Sequence, residues 1–432
     1  MIRQAIGRAK TADPFRRRFT AMVGGAVAAV ALTAATAAQA GEINFWTWRV
    51  EDRTQYAQIF AEFQKRHPDV KVNFNAFEVQ TYQTTLSAAL AAGRGPDVIH
   101  LRAYGGLEQF ARPGYLLPLD KSVVPEIDNF SAEALGSMSL RADGKAYGVP
   151  FASQTLGILY NQEVLARLGV GVPETWADLI ALCGKAKAAG LVGLANGFGA
   201  GWMGEVFTSI FTSSATGPEF VADILSGKAT FEDPRYVGAV NRMLELRECM
   251  APGFVGVDYP TMQQLFLTGR AALFAGGSFE IANFRRQNPN LRLGFAAPPA
   301  PQAGGRRLVS LFFDGGYAIN AKTANMTDAQ KLLRFLSTPE FGDKFTELLA
   351  NISPIKGVRI ADPLLAEVAR LNQNSSPYIM AVHFRFNDPT GSTLLQSAVQ
   401  KLMGGSLTAE QLGRDVTQGI ATYFEPFKNR RN

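Results

Sequence analysis

Between residues 43 and 114 the chain alternates short apolar runs with amphipathic stretches, and this spacing restricts the fold more than any other feature. Ile43–Trp48 reads as a strand. Tyr56, Ile59, Phe60 and Phe63 recur at the three- and four-residue intervals of one helix face. Val70–Phe74 is a second strand, entered through His67-Pro68-Asp69, and Thr81–Ala92 is a helix closed by Gly93, Gly95 and Pro96. Asp97–Leu101 is a third strand, followed by a short helix, Gly105–Arg112, stopped by Pro113-Gly114. Strands separated by helices of this length pair in parallel, since a parallel connection needs a crossover of a dozen residues or more. The result is an α/β fold with helices on both faces of an open sheet. Ligands of such sheets bind beyond the carboxyl ends of the strands, which points to Trp46, Trp48 and the loop Arg102-Ala103-Tyr104.

After the turn Asp143-Gly144-Lys145 comes a long extended stretch, Tyr147–Tyr160, interrupted at Pro150. A second alternating block follows, with helix starts at Glu174-Thr175-Trp176 and near Trp202. A further extended segment, Leu308–Ile319, comes after the Pro/Gly-rich run Ala297–Gly305. Two extended segments joining two α/β blocks predict a chain that crosses between two lobes more than once, and 432 residues suffice for two or three cores. Alternation along the first strand assigns Trp46 to the core, and Trp176 reads as a packing residue at a helix start.

The chain carries 43 Lys and Arg against 37 Asp and Glu, but six of the basic side chains and one acid fall in residues 1–40. The rest is close to neutral, which excludes a nucleic-acid footprint. Arg16-Arg17-Arg18, the uncharged run from Phe19 to Gly41 and the small-residue pattern Ala38-Gln39-Ala40 together read as a signal peptide spanning 1–40. Arg16-Arg17 before a weakly apolar run resembles a twin-arginine signal, with ordinary Sec export as the alternative. No Cys follows that run to carry a lipid, and the expected destination is the periplasm. Cys183 and Cys249 either pair there or remain two buried free thiols.

Several chemistries have no motif. The sequence holds no G-x-x-x-x-G-K-[ST], H-E-x-x-H, paired C-x-x-C or G-x-S-x-G, and His67, His100 and His383 are scattered. No catalytic residue, metal or cofactor is therefore expected. Gly199-Ala200-Gly201-Trp202-Met203-Gly204 matches G-x-G-x-x-G, but it lies mid-chain and lacks the acid that would end the next strand. Glycines that admit a ligand or another backbone account for it better.

An ordered set of phrases runs through residues 42–425. It includes Ile43-Asn44-Phe45-Trp46, His67-Pro68-Asp69-Val70, Gly95-Pro96-Asp97-Val98, Gly114-Tyr115-Leu116-Leu117-Pro118-Leu119-Asp120 and Asp143-Gly144-Lys145-Ala146-Tyr147-Gly148-Val149-Pro150. Later come Leu159-Tyr160-Asn161, Pro173-Glu174-Thr175-Trp176, Gly269-Arg270-Ala271-Ala272-Leu273 and Gly276-Gly277-Ser278-Phe279. In this the chain resembles the family 1 extracellular solute-binding proteins of ABC importers, which include maltose- and other oligosaccharide-binding proteins. The family often has Met at position 273 and Trp at 279. The resemblance implies a two-lobed, type II-like periplasmic-binding-protein fold with a multi-strand hinge, lobe I taking 41–152 plus 303–352 and lobe II 153–302 plus 353–432. It also implies a monomer that holds a carbohydrate between its lobes and delivers it to the transmembrane permease subunits, with no catalysis.

By position within that resemblance, Trp48, Arg49 and Glu51 face the ligand from the loop after the first strand, and Arg102 and Tyr104 from the loop after the third. Gln154 precedes Leu159-Tyr160-Asn161. The second lobe supplies Trp202, Phe279 and Glu280. Asp314, Gly315 and Gly316 lie on the later crossing, where glycines let backbone approach ligand hydroxyls, and Phe384 and Arg385 fall where the family often presents an aromatic. Sugars offer apolar C–H faces to aromatic rings and hydroxyls to charged and amide groups. Arg49 and Glu51 alternatively form a solvated loop, and Arg385 an interlobe ion pair. A non-sugar solute such as a polyamine or phosphodiester, and a secreted glycan-active enzyme, are the competing functions.

Overall fold

In the computed structural model, which describes residues 41–428, the opening alternation becomes a parallel sheet. β1 (Gly41–Thr47) pairs in parallel with β2 (Val70–Ala76) along its whole length, and with β3 (Val98–Arg102) through Phe45 and Trp46. The helix Arg53–Arg66 connects the first two strands and buries Tyr56, Ile59, Phe60 and Phe63, the face its apolar spacing defines. The helix Val79–Ala91 leads to β3. The signal-peptide reading falls on residues outside those described.

The remaining strands are β4 (Val149–Pro150), β5 (Ser153–Asn161), β6 (Val192–Leu194), β7 (Ala271–Gly277), β8 (Leu293–Ala296), β9 (Val309–Phe313), β10 (Gly315–Ile319) and β11 (Ser375–Pro377). One sheet has the order β2-β1-β3-β10-β4, the other β11-β9-β5-β7-β6 with β8 on β5. Each sheet has its own core. The first gathers residues 43–152, 313–349 and 355, the second residues 156–295, 352 and 365–427. The fold is thus mixed α/β with two lobes, as the two blocks of sequence implied.

Local signals place the second-lobe helices. Thr175 and Asp178 form a reciprocal capping box at the start of Trp176–Ala188, and Trp176 is buried with its indole Nε1 donating to Glu245 at 2.7 Å. Cys183 on that helix is disulfide-bonded to Cys249, 66 residues on. Gly197 and Gly199 lie where a Cβ would press on Val257, so the glycine-rich stretch accommodates backbone.

Two expectations change. Trp48 is the buried member of its pair at 5% exposure, while Trp46 is only partly buried, against Phe77 at 4.6 Å. The strand ends at Thr47, and the chain turns before Trp48, so two-residue parity no longer governs its side chain. The later crossing also comes later than the Pro/Gly-rich run suggests. β9 belongs to the second sheet, pairing with β5 from Ser153–Phe313 to Leu156–Ser310, and the chain reaches the first sheet only beyond Asp314.

Candidate functional site

The two lobes are joined where extended segments lie side by side. β4 runs into β5 through Phe151 and Ala152, and β9 into β10 through Asp314 alone. Phe151 N donates to Gly315 O at 3.0 Å, Asp314 N to Ala152 O at 3.1 Å, and Ser153 N to Ile352 O at 2.8 Å. Gln154 is 1% exposed in this bundle. Its Nε2 donates to Asn351 Oδ1 at 3.0 Å, and its Oε1 accepts from Ser278 Oγ at 2.9 Å. With both ends of the amide used by the protein, Gln154 braces the crossing instead of presenting a group to ligand.

On the first-lobe side, the carboxyl ends of β1 and β3 carry a layered arrangement. The Trp48 ring stacks on His100 at 4.0 Å, and the Arg102 guanidinium lies over it at 4.2 Å. Trp48 is therefore a covered support for Arg102, not the ligand-facing ring expected. Arg102 donates to Asp314 Oδ1 at 2.7 Å. Arg49 Nε donates to Asp52 at 2.6 Å and pairs with Glu51 at 3.3 Å. Arg49 is thus mostly enclosed, while Val50 and Glu51 of that loop are exposed. Burial disfavours the Arg49 cation, but Asp52 and Glu51 outweigh it and raise the group above the usual range. Burial likewise holds the Asp52 carboxyl above the usual carboxylate range despite Arg49. The Tyr104 hydroxyl accepts from Phe313 N at 3.2 Å, tying the loop after β3 to the crossing.

Gly315 and Gly316 answer to their neighbours. A Cβ at Gly315 would overlap the Leu101 carbonyl and come within 3.2 Å of the Trp48 ring; one at Gly316 would overlap the Val149 carbonyl. Close strand packing, not approach to ligand hydroxyls, explains both.

On the second-lobe side, Trp202 occupies the first turn of the helix Gly201–Thr216 and is 36% exposed. Its ring meets Tyr259 edge-on at 4.7 Å and Phe279 at 6.4 Å. Glu280 opens the helix after β7 and is 3% exposed, its Oε2 accepting from Gln263 at 2.9 Å and Asn283 at 3.3 Å. Burial pushes its carboxyl up to about 8, so the neutral acid dominates at neutral pH.

Arg385 pairs within its own lobe. It donates to Glu205 at 3.0 Å and to Ser392 Oγ at 2.6 Å, while Ser392 and Gln396 also donate to the fully buried Glu205. The charge of Asp314 acts on both Arg49 and Arg385, and Tyr104 responds to Asp314 and Arg385 alike. These groups from the two lobes therefore lie within electrostatic reach of one another. Phe384 does not join them. At 1% exposure its ring packs on Phe424 at 5.2 Å and Phe231 at 5.8 Å, inside the second core.

Sequence reasoning missed Asp52, His100, Glu205 and Tyr259. Asp52 has a signal in its three-residue offset from Arg49. Glu205 also has one, as the sole acid in an otherwise uncharged helix.

The family model of the bacterial extracellular solute-binding proteins matches residues 47–342. The multiple sugar-binding protein of Streptococcus mutans is 23% identical over 331 residues, spanning 73% of this chain and 76% of that one. Among solved structures, the bacterial solute receptor AcbH, described as exclusively preferring β-D-galactopyranose, superposes with a TM-score of 0.77 at 20% identity, covering 89% of this chain and 100% of its own. A chitin oligosaccharide binding protein superposes with a TM-score of 0.75 at 21% identity over 90% of this chain and 100% of its own. The chain belongs to the bacterial extracellular solute-binding protein family.

Proposed function

We propose that this chain is the sugar-receiving component of an ABC importer, binding a neutral saccharide between its lobes without chemical change. The observation that carries the reading is charge pairing around the cleft. Arg102 is matched by Asp314, Arg49 by Asp52 and Glu51, and Arg385 by Glu205. Paired guanidinium and carboxylate groups keep donors and acceptors for hydroxyls, yet present little net charge to a ligand. A polyamine would want acids free of arginine, and a phosphodiester the reverse. The exposed Trp202 ring beside Phe279 supplies an apolar face of the kind a pyranose covers.

The lobes in this reading comprise 41–152 with 314–349 and Ile355, and 153–312 with 365–428. The Cys183–Cys249 disulfide fits an oxidising compartment, and with residues 1–40 as a signal peptide the mature receptor is periplasmic. It acts as a monomer whose partners are the ligand and the permease subunits. A thermal-shift screen tests this: a saccharide at about a hundred times its Kd stabilises the protein by about 2.7 kcal/mol. A shift with spermidine or inorganic phosphate and with no sugar overturns it.

A further inference from the structure

The first sheet has a second concave region, built on the strand face that the core leaves uncovered. β1 and β2 are paired in register, with Trp46 beside Asn75 and Asn44 beside Asn73. Side chains alternate along a strand, so Asn44, Trp46 and Asn75 share one face while Ile43 and Phe45 enter the core on the other. The helix Val79–Ala91 covers that face only in part. It buries Tyr82, Leu86 and Leu90, but between helix and strands it presents small side chains such as Ala88. A cavity of about 540 Å³ remains, lined by Asn44, Trp46, Asn75, Ala88, Ala92 and Arg94 among others. That lies within the range of about 300–1,000 Å³ typical of small-molecule sites. Arg94 is set by the turn that ends the helix, where Gly93 N donates to Leu90 O and Arg94 N to Ala89 O. It precedes β3, so the cavity lies toward the amino ends of β1 and β3, whereas Trp48 and Arg102 follow or end these strands at their carboxyl ends.

The lining groups keep their bonding capacity. Trp46 leans on Phe77 at 4.6 Å and stays half-buried. Among the described residues, its indole Nε1, the Asn44 amide and the exposed Arg94 guanidinium have no hydrogen-bond partner in the protein. Asn75 uses one N–H on Asn73 O at 3.1 Å and keeps its carbonyl oxygen. No carboxylate lines the cavity, so Arg94 is the one charge there. Glu42, further along the same strand face, is matched by Lys71 at 2.9 Å. This is the reverse of the cleft, where Arg49, Arg102 and Arg385 each meet an acid. An aromatic face accepts the C–H side of a sugar ring, amides accept and donate to hydroxyls, and a guanidinium grips a carboxylate with two parallel bonds. A neutral sugar would leave the Arg94 charge unmatched. A bare anion would leave the Trp46 ring and the two amides unused.

We propose that the cavity beside Trp46 is a second carbohydrate site, separate from the cleft, that takes a sugar ring bearing a carboxylate, a uronate. The ring lies on Trp46, its hydroxyls bond to Asn44 and Asn75, and its carboxylate pairs with Arg94. The site is independent of what the cleft binds, because it shares no residue with it.

The test follows the indole N–H signals of the chain's 4 Trp residues by nuclear magnetic resonance on residues 41–432. Trp46→Phe and Trp202→Phe assign the two signals that matter, and circular dichroism verifies folding of every variant. The probes are sodium D-glucuronate and sodium D-galacturonate, with D-glucose as the neutral ring and sodium acetate as the bare anion. The expected result is a saturable shift of the Trp46 signal with at least one uronate, and a much weaker response to glucose and to acetate. Arg94→Ala, at an exposed position, should weaken that uronate about tenfold, the size expected for a hydrogen-bonded charge pair. Arg94→Lys should recover only part of the loss. A Trp46 signal that neither uronate moves overturns the site. An equal response to glucose, or an Arg94→Ala protein with wild-type affinity, overturns the carboxylate-bearing ligand. A uronate that shifts the Trp202 signal and leaves Trp46 still assigns the binding to the cleft, which overturns the second site and also contradicts the neutral-sugar reading there.

Discussion

The guanidinium of Arg102 lies 4.2 Å over the ring of Trp48. Its Nη1 donates to Asp314 Oδ1 at 2.7 Å, so one side chain links the end of β3 to the crossing between the sheets. Arg102 is 43% exposed at its side chain, which leaves part of its donor fork for a ligand. Replacing it by Ala should weaken sugar binding by about 1.5 kcal/mol, roughly tenfold in Kd, with little change in melting temperature. Arg102→Lys keeps the charge without the planar fork and should recover only part of the loss. Calorimetry on both variants checks this.

Trp202 is a large aromatic left exposed on the second lobe, and the proposed function makes it a stacking platform for the sugar. Truncation to Ala should cost about 2 kcal/mol or more of binding, about thirtyfold in Kd. The melting temperature of the ligand-free protein should hardly move. Wild-type affinity in a folded Trp202→Ala protein would remove the stacking platform.

Phe384 should behave in the opposite way. Its ring is enclosed by Phe231, Phe424 and Phe427, so Phe384→Ala should destabilise the fold by about 3–5 kcal/mol. Thermal unfolding measures the loss, and the fraction that stays folded should bind with near-normal affinity.

Glu280 predicts a pH dependence whose sign is fixed. Its folded carboxyl is pushed up to about 8 by burial, against an ordinary value of 4.5. The folded state therefore holds a proton that the unfolded chain releases, and stability falls as pH rises from about 4.5 to about 8. Glu280→Gln keeps a neutral side chain throughout, so its melting temperature relative to wild type should rise across that window and level off above it. A difference that is flat from pH 5 to 8 contradicts the assignment.

The Cys183–Cys249 bridge closes a loop of 66 residues within the second core. Chain entropy assigns such a crosslink about 4 kcal/mol. Reduction, or the double Ser variant, should lower the melting temperature, and ligand should restore part of it. Equal melting curves for oxidised and reduced protein would show that the bridge does not constrain the chain.

Much of the fold was legible because it depends on local spacing. The β1–β2–β3 unit, the face of the helix Arg53–Arg66 and the Thr175 cap follow from patterns a few residues long. The lobes and the family came through phrases in order along the chain. What could not be read is what depends on distant partners. Arg385 finds Glu205 from 180 positions away, and Gly315 is a glycine because the Leu101 carbonyl sits where its side chain would be. Trp48 was read as facing the ligand because nothing local reveals that His100 and Arg102 cover it. Phe384 was misplaced for a related reason, since its enclosing partners come from Phe231 and from the end of the chain.

Titration calorimetry of residues 41–432 against neutral saccharides, spermidine and inorganic phosphate tests the central claim most directly. The account predicts saturable one-to-one binding of a saccharide, weakened in Arg102→Ala and Trp202→Ala alike, because one ligand touches both lobes. Saturable binding of spermidine or phosphate with no heat from any saccharide would contradict it.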